Sequence, residues 1–287
     1  MTGRKFMPAV HIHPILLIFI IISFLTGTFI ELMVILTIVL IHELGHFTAA
    51  KWFGWRIRGI MLWIFGGVMD TDEHGTRPFH EEVCVTLAGP LQHLFIYLVL
   101  FLLSGSEIIP PFIVETAYVY NTAILLFNLL PVWPLDGGKL VLLVLSEKLP
   151  YRKAYDYSIM FSMILNVILA LFVLFFMPFT LSAFLLFSFL VMENRRDWKQ
   201  RYYVFIRFLL LRYHGENHLR RVQPIEVSHH AILMDIFSCF RRDKTHTIYV
   251  ILPGGRRRQM DEMECLYSYF HGQYYRQSIG EIISQVS

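Results

Sequence analysis

The chain has 287 residues, of which 55% are hydrophobic and 16% charged, with a formal net charge of +3. This balance is too apolar for an ordinary soluble domain of that length, and no module typical of nucleic-acid binding is present. The cysteines Cys84, Cys239 and Cys265 lack C-x-x-C spacing, which argues against a disulfide framework or a thiolate zinc site. The sequence therefore predicts a membrane protein. We expect no cleavable signal peptide, because Arg4 and Lys5 precede an apolar run without a small-residue cleavage site.

Six apolar segments of helical length predict six transmembrane helices, each near the length required to cross a bilayer. Met177-Pro178 marks the boundary between the last two segments, where one bent segment is the alternative. The predicted spans are Pro14–Thr28, Glu31–Phe53, Val83–Leu103, Phe112–Val132, Tyr157–Met177 and Phe179–Met192.

Lysine and arginine occur in alternate connections between these spans, and this placement predicts the orientation in the membrane. The connections Gly27–Glu31, Ser104–Pro111 and Met177–Leu181 contain neither residue. The positive-inside rule therefore places both termini and the tail in the cytosol. The basic residues on that side are Arg4, Lys5, Lys51, Arg56, Arg58, Arg77, Lys139, Lys148, Arg152, Lys153, Arg195, Arg196, Lys199 and Arg201.

The second predicted span contains His42-Glu43-Leu44-Gly45-His46, an H-E-x-x-H sequence. On a helix the two histidines lie one turn apart on one face, so both imidazoles can bind one Zn²⁺. Glu43 lies beside them, where it can take a proton from a metal-bound water. An ionised side chain near the middle of a membrane helix costs about 2.5–3.5 kcal/mol, so the setting favours a metal site over a solvated helix face.

The end of the fourth predicted span supplies a candidate third ligand, Asp136. Pro131 and Pro134 break the helix, and Gly137-Gly138 lets the backbone turn, so that Asp136 is presented from an irregular segment. Two imidazoles, one carboxylate and a water make an open four-coordinate catalytic zinc site. The alternative is that Asp136 lies in a surface turn. The presence of two histidines at ligand spacing in the same chain favours the metal site instead.

Residues Trp55–Asp70 are predicted to form a β-hairpin at the level of the membrane. Ile60–Phe65 is β-prone, and Gly66-Gly67 permits a turn or a close backbone approach. A helical substrate must unwind before its peptide bond can be attacked, and its freed backbone groups then need partners. The exposed edge of the hairpin can supply these partners by pairing with the extended substrate. The alternative is an interfacial amphipathic segment without a role in substrate binding.

Other polar or small residues lie inside the predicted spans. Asn128 either bridges helices or hydrogen-bonds an unwound substrate. His93 is expected to be an interhelical histidine rather than a fourth ligand, because the water position must stay open. Gly89-Pro90 is expected to allow close helix packing or a kink.

The composition changes after Met192 and predicts three parts: a membrane domain (1–193), a basic linker helix (194–221) and a small α/β domain (222–287). The basic side chains of the linker are expected to meet anionic lipid headgroups. Within the last part, alternating and helical patterns predict strands at Val222–Val227, Thr247–Leu252 and Arg257–Met260, and helices at Ala231–Phe240 and Asp261–Phe270.

The paired sequences His42-Glu43-Leu44-Gly45-His46 and Asn128-x-x-Pro131-x-x-Pro134-Leu135-Asp136-Gly137 resemble the site-2 protease family of intramembrane zinc metalloproteases. The resemblance implies a polytopic α-helical membrane protein with six transmembrane helices and a membrane-level β-hairpin. It also implies that His42, His46 and Asp136 are the zinc ligands and that Glu43 is the general base. The substrate contacts that it implies are Asn128, Gly66, Gly67 and Pro131.

Within this family the chain resembles members that process pro-sigma-K, a membrane-associated sigma-factor precursor, during sporulation. Arg77-Pro78, Ala88–His93 and Trp133–Lys139 contribute to the resemblance. It implies pro-sigma-K as the substrate and membrane-embedded inhibitory proteins as partners. It further implies a location on the mother-cell side of the outer forespore membrane.

The order of strands and helices in 222–287 resembles a single cystathionine-β-synthase-type (CBS) domain, whose relatives sense adenine nucleotides. Such domains usually pair, so a lone copy implies a homo-oligomer. Asp261 and Glu264 stand where the family commonly has a hydroxyl residue and an aspartate. Because a carboxylate at Asp261 would repel a phosphate, ATP binding, substrate docking and dimerisation are alternatives, and no nucleotide-binding residue is assigned.

These patterns together predict an intramembrane zinc metalloendopeptidase that cleaves a membrane-associated precursor near the cytosolic leaflet. One alternative is a non-proteolytic zinc-binding membrane regulator controlled by its cytosolic tail. A transporter is a further alternative, but it would need two discontinuous spans, and the sequence has one Pro/Gly-broken segment.

Overall fold

The computed structural model describes residues 10–63, 66–71, 73, 75, 77–105, 109–178, 180–215, 221–253 and 255–286. This part of the chain contains ten helices and six strands and is mostly helical. It divides into two compact units. The first comprises Met1–His74, His80–Leu140 and Ala170–Leu190, and the second Gly75–Phe79, Val141–Leu169 and Val191–Ser287. Arg4, Lys5, Ile64, Phe65 and Phe179, which the sequence predictions include, lie outside the described residues.

Long apolar runs form most of the helices, because a helix satisfies its backbone hydrogen bonds internally. The helices are α1 (Pro14–Thr26), α2 (Phe29–Trp52), α3 (Phe79–Leu103), α4 (Pro111–Asn128), α5 (Asp136–Lys148), α6 (Tyr151–Phe176) and α7 (Leu181–Tyr213). Of these helices, α2, α3 and α6 are long and apolar enough to cross a membrane, and α1 is a shorter apolar helix. The structure thus has a helix at each predicted span, and three candidate spans by length and apolarity.

The ends of two helices differ from the sequence prediction. Helix α7 continues from Leu181 to Tyr213, so the predicted boundary between the last span and the linker helix lies inside one helix. Its composition changes while its backbone does not, because arginine and lysine are good helix formers. Helix α5 was not predicted, since the Gly137-Gly138 pair suggested a turn.

A three-stranded sheet belongs to the first unit. Strand β2 (Ile57–Trp63) pairs antiparallel with β3 (Gly66–Thr71), and β1 (Val10–Ile12) pairs parallel with β2. The strand order β1-β2-β3 places β3 at an edge. Ile60 and Leu62 of β2 are buried in an apolar cluster with residues of α1, α2 and α3. The predicted hairpin is therefore present, and its buried face fixes the register of its strands.

The C-terminal region forms a small α/β domain. Its elements are β4 (Arg221–Ser228), α8 (Leu233–Phe237), β5 (Lys244–Ile251), β6 (Arg257–Asp261), α9 (Glu262–Phe270) and α10 (Ile279–Val286). Strand β5 pairs parallel with β4 and antiparallel with β6. The order agrees with the sequence prediction, although α8 is shorter than the predicted Ala231–Phe240 and α10 was not predicted.

The end of α7 is attached to this domain by a buried polar network of Arg212, His246 and Glu262. Arg212 Nε donates to Glu262 Oε1 at 2.6 Å, and the His246 backbone N–H donates to Glu262 Oε2 at 2.8 Å. The Arg212 guanidinium also lies over the rings of Phe208 and Phe240, 5.1 and 5.3 Å from their centroids. The buried charge is thus compensated within the domain.

Ionisation in this network follows from burial and hydrogen bonding. Burial lowers the pKa of the His246 imidazole, despite its hydrogen bond to Glu262. Burial alone would raise the pKa of the Glu262 carboxyl, but the hydrogen bond from His246 and the charge of Arg212 outweigh it, and the pKa lies below its usual value. The folded domain therefore favours a neutral His246 and an ionised Glu262.

Candidate metal centre

Three buried side chains converge in the first unit, and we refer to His42, His46 and Asp136 as the candidate ligands. The two Nε2 atoms are 3.0 Å apart, and each lies 3.1 Å from Asp136 Oδ2. A tetrahedral zinc ion with bonds of about 2.0–2.1 Å holds its ligand atoms about 3.3 Å apart. The three atoms therefore fit three corners of a zinc coordination sphere, and a fourth corner is available for water or substrate.

Helix α2 places the two histidines one turn apart, and Asp136 is the first residue of α5. The sequence prediction had Asp136 on an irregular segment, but the helix resumes directly at this residue. A carboxylate is stabilised at a helix N-terminus, and Asp136 is therefore compatible with the start of α5. The following Gly137 is required, because a Cβ at this position would overlap the carbonyl oxygens of Leu129 and Leu130.

The tautomers of both imidazoles follow from the atoms that face their Nδ1 positions. His46 Nδ1 lies 2.7 Å from the Val85 carbonyl oxygen. Because a carbonyl oxygen only accepts, Nδ1 carries the proton and Nε2 presents a lone pair. This is the tautomer that a metal ligand needs.

His42 is oriented through a chain of buried groups. Asn121 Nδ2 donates to the His93 carbonyl at 3.2 Å, and its Oδ1 accepts from His93 Nδ1 at 2.7 Å. His93 Nε2 is then an acceptor for His42 Nδ1 at 3.1 Å, which leaves a lone pair on His42 Nε2. His93 lies between helices in the manner predicted for an interhelical histidine. Asn121 was not identified from the sequence, where its only signal is an amide within an apolar helix.

The facing atoms of the candidate ligands are therefore three acceptors, two imidazole lone pairs and one carboxylate oxygen. Lys139 Nζ lies 3.0 Å from the other oxygen of Asp136, Oδ1, and so leaves Oδ2 toward the imidazoles. Acceptors at hydrogen-bond distance repel one another unless a cation or a proton lies between them. The donor set thus fits a divalent metal ion with nitrogen and oxygen ligands.

Helix α3 passes close to both imidazoles at Gly89. A Cβ at this position would overlap His46 Nε2 and would lie 2.8 Å from His42 Cε1. The close packing expected at Gly89-Pro90 therefore occurs directly over the candidate ligands, where any larger side chain would displace them.

Glu43 lies next to His42 on α2 and is buried, with 5% of its surface exposed. Gly67 of β3 packs against it so closely that a Cβ there would overlap Glu43 Cγ. The neighbouring Gly66 is the first residue of β3 and has a φ of +146°. The edge strand of the hairpin is thus adjacent to the carboxylate predicted to be the general base.

Asn128 and Pro131, predicted to contact substrate, lie at the end of α4 and in the break before α5. Both are half-buried. Asn128 Nδ2 donates to the Ile124 carbonyl at 3.0 Å, within its own helix. In the part of the chain that the structure describes, Asn128 is thus bonded to its own helix and not to a candidate ligand.

Comparison with known proteins gives a consistent assignment. Residues 30–109 and 106–171 match the profile of peptidase family M50. The chain is 39% identical over 275 residues to Stage IV sporulation protein FB of Bacillus subtilis, covering 96% of each chain. It is also 35% identical over 119 residues to a zinc metalloprotease of Methanocaldococcus jannaschii, covering 40% of this chain and 34% of that protein.

A solved structure shows a similar fold. The site-2 protease from Methanocaldococcus jannaschii superposes with a TM-score of 0.55 at 26% identity, covering 69% of this chain and 93% of that one. The mostly helical fold with three candidate spans is therefore of the site-2 protease type. Together these matches show that the chain belongs to peptidase family M50, the site-2 proteases, and is a zinc metalloprotease.

Proposed function

We propose that this metalloprotease cleaves its substrate within the membrane, with His42, His46 and Asp136 as the zinc ligands and Glu43 as the general base. The observation that carries the proposal is the convergence of three lone-pair atoms at 3.0–3.1 Å from one another. They lie on buried side chains, two of them on α2, which is apolar and long enough to cross a membrane. Burying such a set is unfavourable unless it binds a cation.

The chemistry divides between the metal and the chain. Zinc, when bound, would supply the Lewis acidity that polarises a peptide carbonyl and acidifies water. Glu43 would accept a proton from the attacking water and pass it to the leaving amine. Val85 and the His93–Asn121 pair hold the two imidazoles in the tautomer that leaves Nε2 free. The chain thereby fixes its ligands before substrate arrives.

The hairpin would present the substrate. An extended peptide that adds to the edge of β3 would run beside Gly66 and Gly67, and Gly67 contacts Glu43. Backbone pairing at this edge would supply partners for the groups that unwinding frees. Asn128 could exchange its bond to Ile124 for one to the substrate, with Pro131 keeping the backbone open beside it.

The substrate and topology are part of the same proposal. Identity of 39% over 96% of both chains to Stage IV sporulation protein FB supports a role in sporulation, with pro-sigma-K as the precursor cleaved. We propose six transmembrane helices with both termini in the cytosol and a location on the mother-cell side of the outer forespore membrane. Membrane-embedded inhibitory proteins would restrain cleavage there until the precursor is needed.

We propose that residues 222–287 are a CBS-like regulatory domain, connected by the linker 194–221 to the membrane domain 1–193, and that the protein is a homo-oligomer. Asp261 and Glu264 form a capping box at the start of α9, in which Glu264 Oε2 accepts from the Asp261 N–H at 3.1 Å. Two carboxylates thus occupy the helix N-terminus where a phosphate would bind. This arrangement favours substrate docking or dimerisation over ATP binding at that position.

Cleavage is tested by co-expression with membrane-tethered pro-sigma-K. The wild-type chain should release a product with a new N-terminus, which sequencing would locate. Glu43→Gln should abolish release while zinc, measured by metal analysis, stays bound. Glu31→Gln is the matched control, because it makes the same change on the same helix. Unchanged output from Glu43→Gln would instead favour a zinc-binding regulator that is not a protease.

A further inference from the structure

A cavity of about 120 Å³ lies between the first turns of α6 and the middle of α7, within the second unit. Its lining includes Tyr151, Arg152, Tyr155, Arg201, Tyr202 and Phe205. The volume has room for several water molecules, and so for a group of phosphate size. The proposed hydrolysis makes no use of this cavity.

The charges around the cavity favour an anion. The Arg152 guanidinium lies over the Phe205 ring, 5.5 Å from its centroid, and Arg201 lies 4.0 Å from the centroid of Trp198. Asp156, the carboxylate of the lining, lies 3.8 Å from Arg201 Nε. Asp197 and Arg196 also lie near Tyr155. Three guanidinium groups thus surround the cavity with two carboxylates. Guanidinium groups held against aromatic rings are partly pre-ordered, and their planar donors match the oxygens of phosphate.

The surface beside the cavity is apolar and suited to acyl chains. Helix α6 is one of the candidate membrane spans, and the cavity lies at its N-terminal end. Along the next turns of α6 the apolar side chains of Tyr157, Met160, Phe161, Ile164 and Ile168 are exposed. A molecule with a phosphate and long apolar chains would satisfy both the cavity and this face.

We propose that the cavity binds the phosphate of an anionic phospholipid, whose acyl chains lie along the exposed face of α6. Soluble phosphate compounds share the phosphate chemistry but would leave this face uncovered. Bound lipid would fix the first turns of α6 against α7, and so would hold the base of the C-terminal domain at the membrane surface.

The test uses the full-length protein in nanodiscs of phosphatidylcholine with and without phosphatidylglycerol. Native mass spectrometry after mild detergent release counts the phosphatidylglycerol that stays bound. Arg152→Gln and Arg201→Gln should each weaken retention about tenfold, since hydrogen bonds to charged groups are the strong ones. The controls Lys153→Gln and Lys199→Gln remove the same charge from neighbouring positions outside the lining and should retain the lipid.

Two results would overturn this assignment. Equal losses in the control variants would mean that the lipid is held by diffuse attraction to basic residues rather than by the cavity. Displacement of the lipid by millimolar inorganic phosphate would identify a soluble phosphate compound as the ligand. Arg152→Lys keeps the charge but loses the planar guanidinium group. Intermediate lipid retention by this variant would show that the loss in Arg152→Gln is not caused by misfolding.

A separate contact holds the loop between β3 and α3. Arg242, which is 4% exposed, donates from Nη2 to the Arg77 carbonyl at 2.6 Å. Gly75 has a φ of +85°, and a Cβ there would lie 2.7 Å from the Tyr151 hydroxyl. Gly75, Arg77 and both of their partners belong to the second compact unit.

This loop joins two elements that contact the candidate site. Gly67 of β3 packs against Glu43, and Val85 of α3 faces His46 Nδ1 at 2.7 Å. We infer that Arg242 is a positioning residue: by holding the Arg77 carbonyl it fixes the start of α3, and with it the carbonyl that orients His46. The inference rests on the proposed function of His46 and Glu43.

Arg242→Ala should lower kcat about tenfold while KM and zinc content stay unchanged, and Arg242→Lys should restore part of the loss. Arg241→Ala removes the neighbouring charge and should have no such effect. Hydrogen exchange in the first turns of α3 should also become faster in Arg242→Ala, a result that does not depend on proteolysis. Unchanged hydrogen exchange in α3 of Arg242→Ala, or equal effects of Arg241→Ala, would overturn the positioning role of Arg242. The proposed function is tested separately, since it would be overturned by activity that Glu43→Gln retains.

Discussion

The candidate ligands and the C-terminal network are two buried polar groups with opposite hydrogen-bonding states. In the network, Arg212 and His246 donate to Glu262, and His246 Nε2 accepts from the Arg241 N–H, so donors and acceptors are matched. At the candidate ligands, three acceptors face one another. Matched burial stabilises a fold, whereas unmatched acceptors need a ligand. The pattern of donors, rather than burial alone, distinguishes the hydrogen-bonded C-terminal network from a group of acceptors that fits a cation.

The largest effect is expected from removing one of the candidate ligands. Asp136→Ala should abolish proteolysis and lower zinc affinity by more than the roughly 10–100-fold that loss of an outer hydrogen-bond partner costs. Metal analysis after dialysis against a chelator series would measure this. Full zinc retention by Asp136→Ala would contradict the conclusion that the candidate ligands, unlike the C-terminal network, need a cation.

Breaking the C-terminal network should lower the stability of the C-terminal domain and leave zinc binding unchanged. Glu262→Gln leaves the Arg212 charge without its partner, and breaking a buried pair in this way costs about 3–5 kcal/mol. Hydrogen exchange of β5 and α9 in the full-length protein would report the loss. The control Glu226→Gln breaks the exposed pair with Arg257 and should change stability by less than about 1 kcal/mol.

A hydrogen-bond partner behind the candidate ligands should have an intermediate effect. Asn121→Ala removes the acceptor that orients His93 and, through it, His42. Zinc affinity should fall about 10–100-fold. The same substitution at Asn128, on the same helix, should leave zinc affinity unchanged, and equal losses in both variants would show that α4 was disturbed generally.

The smallest effect is a dependence of C-terminal stability on pH. Because the pKa of His246 is lowered on folding, the unfolded chain binds more protons as the pH falls below about 6.5, and stability declines there. The lowered pKa of Glu262 adds a further loss at more acidic pH, as the pH falls through its folded value. Stability measured by hydrogen exchange, corrected for intrinsic rates, should therefore be higher at pH 7.5 than at pH 5.5. His246→Gln should flatten the change near pH 6.5, and an unaltered profile in this variant would contradict the account.

The sequence predicted the parts of the candidate site whose proximity depends on local spacing. His42, Glu43 and His46 share one helix, so their proximity follows from helical geometry alone. Asp136 lies far along the chain and was found through its Pro/Gly setting and its pairing with the histidines. The contacts of Asn121 and Lys139 with this group could not be predicted in this way, because they depend on which helices pack together. The strands of the C-terminal domain were predicted well, since alternating burial is also local.

The continuity of α7 was missed for a different reason. The prediction divided the chain where its composition changed, at Met192, but the basic residues beyond that point favour helix as strongly as the apolar ones before it. A change from apolar to basic residues indicates a change in the surroundings of a helix, and not the end of the helix.

The most direct test of the metal centre is zinc X-ray absorption spectroscopy on the purified full-length protein. The account predicts one zinc per chain with two imidazole nitrogens and a carboxylate oxygen at about 2.0–2.2 Å, and the loss of one imidazole signal in His46→Ala. A sulfur scatterer at about 2.3 Å, or a spectrum unchanged by His46→Ala, would contradict it.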